Sequence, residues 1–149
     1  MEEPYIALQV LMMPRDANTN PTIVPDIGPS PLYATIFGGV ILSHIDVAGA
    51  IAAKREVLRK GGREDLLFVT VAINRVEFKQ PVLVGDLVRF QTHLVKIGKT
   101  SITIHIEVIA QRNLKELRVT EAEVVYVGLQ LVNGERKPAA LIPGQDQSL

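Results

Sequence analysis

The 149-residue sequence predicts an α+β fold in which a single antiparallel β-sheet wraps around one central apolar helix. Three observations point to it. Residues 38–60 read as a helix that is apolar nearly all round, the mark of a buried helix. Four later segments alternate apolar and polar residues with a period of two, and one short apolar segment precedes the helix. The length fits one domain, 1–149, able to bury roughly two-thirds of the surface its unfolded chain exposes.

Residues 5–13 are expected to form the first strand, followed by a polar loop from Pro14 to Asn20. The next stretch, 21–35, carries Pro21, Pro25, Pro29 and Pro31. Each proline removes a backbone donor and fixes φ, so this insertion can be neither regular helix nor central strand. Loops longer than about 12–15 residues are uncommon in compact domains and often serve as lids or binding segments; a surface insertion without a role is the competing reading.

In the helix, Val40, Ile41, Leu42, Ile45, Val47, Ala48 and Ile51 leave no wholly polar side. Charges enter only with Lys54-Arg55-Glu56 and Arg59-Lys60, where cations suit the C-terminal dipole, and Gly61-Gly62 ends it. Strands are then expected over 66–78, 87–97, 100–111 and 119–132, in meander-like succession. Pro81 to Asp86 makes the first turn and Gly98-Lys99 a tight hairpin. Asn133-Gly134 closes the last strand, and the tail, 135–149, is expected to be loosely held. Exposed sheet edges favour association of two copies.

Sixteen Lys and Arg balance sixteen Asp and Glu, so no global field draws the chain to nucleic acid or to an anionic membrane. Without Cys, disulfides, thiolate ligands and a cysteine nucleophile are excluded. The start Met1-Glu2-Glu3-Pro4 lacks the features of a signal peptide, and no apolar run reaches about 18 residues, so a soluble, cytoplasmic protein is expected.

Asp46 is the informative residue, because an unpaired carboxylate buried among Ile41, Leu42, Ile45 and Ala50 costs several kcal/mol, by the order of magnitude usual for buried charges. Either it has chemistry to do or it is satisfied by backbone amides or a basic partner. Gly38-Gly39, at the helix start, offers unsatisfied N–H groups and the positive end of the dipole, which together could form an oxyanion hole; the bland reading is a tight turn with close packing. A rise of 1.5 Å per residue separates these amides from Asp46 by about 10–12 Å at the backbone, a gap that a side chain leaning toward the helix start shortens. His44, His93 and His105 show no metal-ligand spacing; His44 points about 160° away from Asp46 around the helix and reads as structural. No Gly-x-Ser-x-Gly elbow is present.

Several segments, in order, resemble the YciA-type and brain-type cytosolic acyl-CoA hydrolases: Asp16-Ala17-Asn18, Ile36-Phe37-Gly38-Gly39, Ser43-His44-Ile45-Asp46, Ala48-Gly49-Ala50, the run from Phe78 to Asp86, and Gly98-Lys99-Thr100-Ser101. The likeness spans about residues 8–138. It implies a hotdog fold, a homodimer as the active unit, commonly built into a trimer of dimers, and hydrolysis of acyl-CoA with neither metal nor added cofactor. It also implies that Asp46 is the catalytic carboxylate, that Gly38 or Gly39 supplies the oxyanion amide, and that Asn18 positions the water or the thioester carbonyl. This chain departs from the family by its proline-rich insertion and by Pro21 where Gly is usual. If the insertion loops out, Asn18 keeps its place; if not, Asn20 or no Asn serves.

Coenzyme A brings phosphates, so a neutral chain must gather cations locally. By resemblance the best candidates are Lys99 with the hydroxyls of Thr100 and Ser101, with Arg75, Lys79, Arg89 and Lys54 weaker; each taken alone reads more readily as a solvated charge. The expected activity is thioester hydrolysis to free acid and CoA with Asp46 as general base or nucleophile. A non-catalytic acyl-CoA binder or sensor is the alternative. A dehydratase is disfavoured, because no His precedes the helix start.

Overall fold

The computed structural model describes residues 3–18, 22–24, 28–30 and 34–144. Expectations that rest on Asn20, Pro21, Pro25, Pro31 and residues 145–149 lie outside the described residues. Strand β1 (Tyr5–Leu11) leads into a 3₁₀ turn, Pro14–Asp16, in the loop expected to be irregular. Short strands β2 (Thr22–Val24) and β3 (Gly28–Ser30) pair with each other in a two-stranded sheet separate from the main one. Helix α1 (Gly38–Arg59) follows, then β4 (Leu67–Ile73), β5 (Leu87–Ile97), β6 (Ser101–Arg112), β7 (Lys115–Val132) and β8 (Glu135–Pro138). The main sheet is antiparallel in the order β1-β5-β6-β7-β4, with β8 also on β7.

The order differs from the expected meander. Strands β5, β6 and β7 do follow one another, but β4 crosses over to the far edge and pairs with β7. With 18 residues, β7 is long enough to hold β6 along one side and β4 along the other. β4 also stops at Ile73 rather than 78; beyond it only single bonds continue, from Asn74 N–H to Glu123 O (2.9 Å) and from Lys79 N–H to Val119 O (2.9 Å).

Period-two alternation places Val88 and Phe90 of β5, Ile102, Ile104, Ile106 and Val108 of β6, and Val124 and Tyr126 of β7 in the core. Against them lies the stripe Ile41, Ile45, Ala48, Ala52 and Val57 of α1. The alanines let the helix axis approach the sheet, and each fully buried Ile or Val contributes on the order of 1.5–3 kcal/mol. The helix is not buried all round within one chain: Val47, Ile51 and Leu58 stay exposed, as do Leu67, Val71 and Ile73 on the edge strand β4. Among the described residues no helix is long and apolar enough to cross a membrane.

The tail corrects an expectation. Asn133 (φ 52°) and Gly134 (φ 81°) both take the left-handed conformation of a two-residue hairpin turn, which folds β8 back onto β7. Leu141 is then wholly buried; its N–H donates to Lys99 O (2.9 Å) and its carbonyl accepts from Arg63 N–H (3.0 Å). Residues 135–144 are therefore integrated rather than loose. Leu141→Ala should cost about 2–5 kcal/mol in urea denaturation, as for other buried leucines; a loss below about 0.5 kcal/mol would contradict this packing.

Candidate active site

Asp46 lies two turns into α1 with its side chain half-buried, facing the β4–β7 edge of the sheet. Thr70 of β4 and Tyr126 of β7 are direct register partners, so their side chains share one face. Both reach Asp46. The Thr70 hydroxyl donates to Asp46 Oδ1 at 2.5 Å, and the Tyr126 hydroxyl, 2.6 Å from the Asp46 backbone carbonyl, lies 3.3 Å from the same Oδ1. A bulge in the β4–β7 ladder follows directly after Thr70. Bulges commonly re-aim side chains beside functional sites.

The tyrosine fits because residue 49 is glycine: a Cβ there would overlap the Tyr126 oxygen. Asp46 is thus held by two neutral donors and has no basic partner among the described residues. Oδ1 takes both contacts, and among the described residues no hydrogen bond to Oδ2 is seen.

At the start of α1, Phe37 is extended and no side chain caps the helix, so the first-turn amides point outward with the positive end of the dipole. Gly38 borders an apolar cleft of about 250 Å³ together with Ile36, Ile41, Phe78 and Val82. The cleft at the amide end is bordered by Gly38 and not by Asp46, whose side chain hydrogen-bonds to Thr70 and Tyr126. Gly39 also meets a packing need, since a Cβ there would sit 2.7 Å from the Phe37 ring.

Asn18 lies beside the segment that leads into the helix. Its N–H donates to Thr35 O (2.7 Å), Phe37 N–H donates to Asp16 O (3.0 Å), and Ala17 bridges Ile36. Residues 16–18 thus pair with 35–37 beside the helix start.

The expected coenzyme-binding residues fall into two groups. The hairpin Lys99-Thr100-Ser101 abuts Gly128, through Gly128 N–H to Thr100 O (2.9 Å), whereas Lys79 abuts Val119. Nine residues of β7 separate these points, roughly 30 Å of strand. Arg75 and Lys79 share a cleft of about 290 Å³ with Glu77 and Glu121, and Arg75 is paired to Glu77. Arg89 is held by Glu116 at 2.6 Å. One chain does not gather these cations at a single point.

A larger cleft, about 610 Å³, lies at the other end of α1 between Tyr5, Arg55, Glu56, Lys60 and His93. Buried Glu56 accepts from Arg55 (3.2 Å) and Arg59 (3.0 Å), and Arg55 stacks over the Tyr5 ring. Neither Asp46 nor the helix start borders this cleft. His44 bonds Val40 O (2.7 Å) and stacks on Phe90, on a different side of α1 from Asp46.

Thr70, Tyr126 and Gly49 do not stand out from the sequence as parts of a site. A usable signal exists for Tyr126, an inward-facing position in β7 occupied by a residue whose hydroxyl needs a partner when buried.

Residues 33–116 match the thioesterase superfamily domain. The chain is similar to the acyl-CoA thioester hydrolase YciA of Salmonella typhimurium, with 36% identity over 91% of this chain and 89% of that protein. It is similar in structure to a hexameric thioesterase from Yersinia pestis (34% identity, TM-score 0.72, 97% of this chain and 100% of that one). A hexameric hotdog fold thioesterase of Campylobacter jejuni is likewise similar (36% identity, TM-score 0.66, 91% and 90% covered).

Burial first, then the charge of Asp46 and the hydrogen bond to it, hold the Tyr126 phenol well above the usual tyrosine range. In the unfolded chain it ionises near pH 10. Above that pH the unfolded state loses a proton that the folded state keeps, so stability falls as pH rises, by up to about 1.4 kcal/mol per unit, and is unaffected below it. Urea denaturation between pH 8 and 11 should show this decline reduced in Tyr126→Phe; equal slopes in the two proteins would contradict the assignment.

Proposed function

Because the chain belongs to the thioesterase superfamily, we propose that it hydrolyses acyl-CoA to free acid and CoA with Asp46 as the reacting carboxylate. The observation that carries this reading is the carboxylate itself, held by hydrogen bonds at Oδ1, on the helix whose start presents uncapped amides. The amides of Gly38 or Gly39 polarise the thioester carbonyl and stabilise the oxyanion. Asp46 Oδ2 either takes a proton from the attacking water or attacks the carbonyl carbon to give an anhydride that water then opens. In both routes the C–S bond breaks, the thiolate leaves as CoA and is protonated, and the carboxyl carbon gains the water oxygen. Asn18, next to the helix start, orients the water or the carbonyl. The reaction uses no metal or added cofactor and takes place in the cytoplasm.

The active unit is a homodimer, built further into a trimer of dimers. Two features support it. The amides and the carboxylate stand about 10–12 Å apart along one helix, so a second copy supplies the half that one chain lacks. The exposed apolar residues Val47, Ile51, Val71 and Ile73 lie on α1 and on the edge strand β4 near Asp46, where such a copy would pack. The two cation groups, about 30 Å apart in one chain, can likewise reach one CoA only if different copies contribute them.

Thiol release from acyl-CoA of varied chain length tests the proposal. Wild type should turn over, and Asp46→Ala and Asp46→Asn should each lose about 10²–10⁴ in kcat. Thermal stabilisation by acyl-CoA without thiol release would favour the binder reading, and wild-type turnover by Asp46→Ala would end the proposed mechanism.

A further inference from the structure

We propose that Tyr126, with Thr70 beside it and Gly49 making room, is a positioning residue that fixes which carboxylate oxygen of Asp46 reacts; this rests on the catalytic role proposed for Asp46. A carboxylate on an exposed helix face rotates among rotamers and presents either oxygen. Here it is restrained twice. The Tyr126 hydroxyl spans the backbone carbonyl (2.6 Å) and Oδ1 (3.3 Å) of the same residue, bridging side chain to main chain, and the Thr70 hydroxyl clasps Oδ1 from the neighbouring strand at 2.5 Å.

The register partnership of Thr70 with Tyr126 sets both donors on one face. Tyr126 is among the largest fully buried side chains, so its ring is anchored in the core while its hydroxyl reaches the helix. Gly49 is one turn after Asp46 on the same side of α1, and any side chain there would push the hydroxyl off. With Oδ1 doubly engaged, Oδ2 is the oxygen presented to water or thioester. Neither hydroxyl exchanges a proton with the substrate; each acts through Asp46.

Steady-state thiol-release kinetics on purified variants test this. Tyr126→Phe and Thr70→Val should each lower kcat roughly 10- to 100-fold, with KM within about threefold of wild type, because a reacting group displaced by about 1 Å forfeits rate rather than binding. Thr70→Ser, which keeps the hydroxyl, should restore turnover, and Gly49→Ala should reproduce the loss without changing any hydrogen-bonding group. Asp46→Ala is measured alongside. Wild-type turnover by Asp46→Ala overturns the catalytic reading itself. An inactive Asp46→Ala with unchanged kcat in Tyr126→Phe overturns only the positioning role. A raised KM at constant kcat, or Thr70→Ser as impaired as Thr70→Val, also overturns it. Should Tyr126→Phe fail to fold, the Thr70→Val and Thr70→Ser pair decides.

Discussion

One helix carries both the outward amides at Gly38-Gly39 and the carboxylate of Asp46, and the 1.5 Å rise per residue fixes them about 10–12 Å apart whatever the surrounding side chains do. That spacing governs the rest of the molecule. The carboxylate cannot lean back to meet its own amides while Thr70 and Tyr126 hold it toward the β4–β7 edge. The sheet order places β4 on that edge, so the carboxylate lies beside an edge strand and an apolar strip of Val47, Ile51 and Val71.

Positioning follows from elements that look purely structural. The inward alternation of β7 buries Val124 and Tyr126 under the helix, as it would in any sheet packed against α1. Tyrosine at this point adds a hydroxyl to an otherwise aliphatic layer, and burial of that hydroxyl is favourable only with a partner. The partner is the backbone and side chain of Asp46. Core packing and the placement of the Asp46 side chain are therefore one set of contacts, and Gly49 is the position where the two requirements meet.

Much of the fold is legible in the sequence because the relevant physics is local. The apolar run of 38–60 marks the helix to within one residue of its observed end, and the alternation of Ile102, Ile104, Ile106 and Val108 marks the inner face of β6. What escapes is non-local. Nothing in the alternation of 66–78 says that β4 pairs with β7 rather than with the strand that follows it. The Asn133-Gly134 dipeptide does carry the signal for β8, since both residues accept positive φ, but the same pair serves equally well to end a strand. At the site, Asp46 stands out as a charge in an apolar helix, whereas Thr70 and Tyr126 lie 24 and 80 residues away in sequence and meet it only through the sheet register.

The division of the site between copies is tested most directly by mixing subunits. Asp46→Ala lacks the carboxylate, and Gly38→Val fills the cleft beside Phe78 at the amide end; each alone should be inactive in thiol release. If each site takes its carboxylate from one copy and its amides from the other, co-refolding the two variants in equal amounts yields mixed dimers with one intact site each, and about a quarter of wild-type activity returns. If the mixture stays as inactive as the separate variants, each chain builds its own site and the shared-site assignment is contradicted.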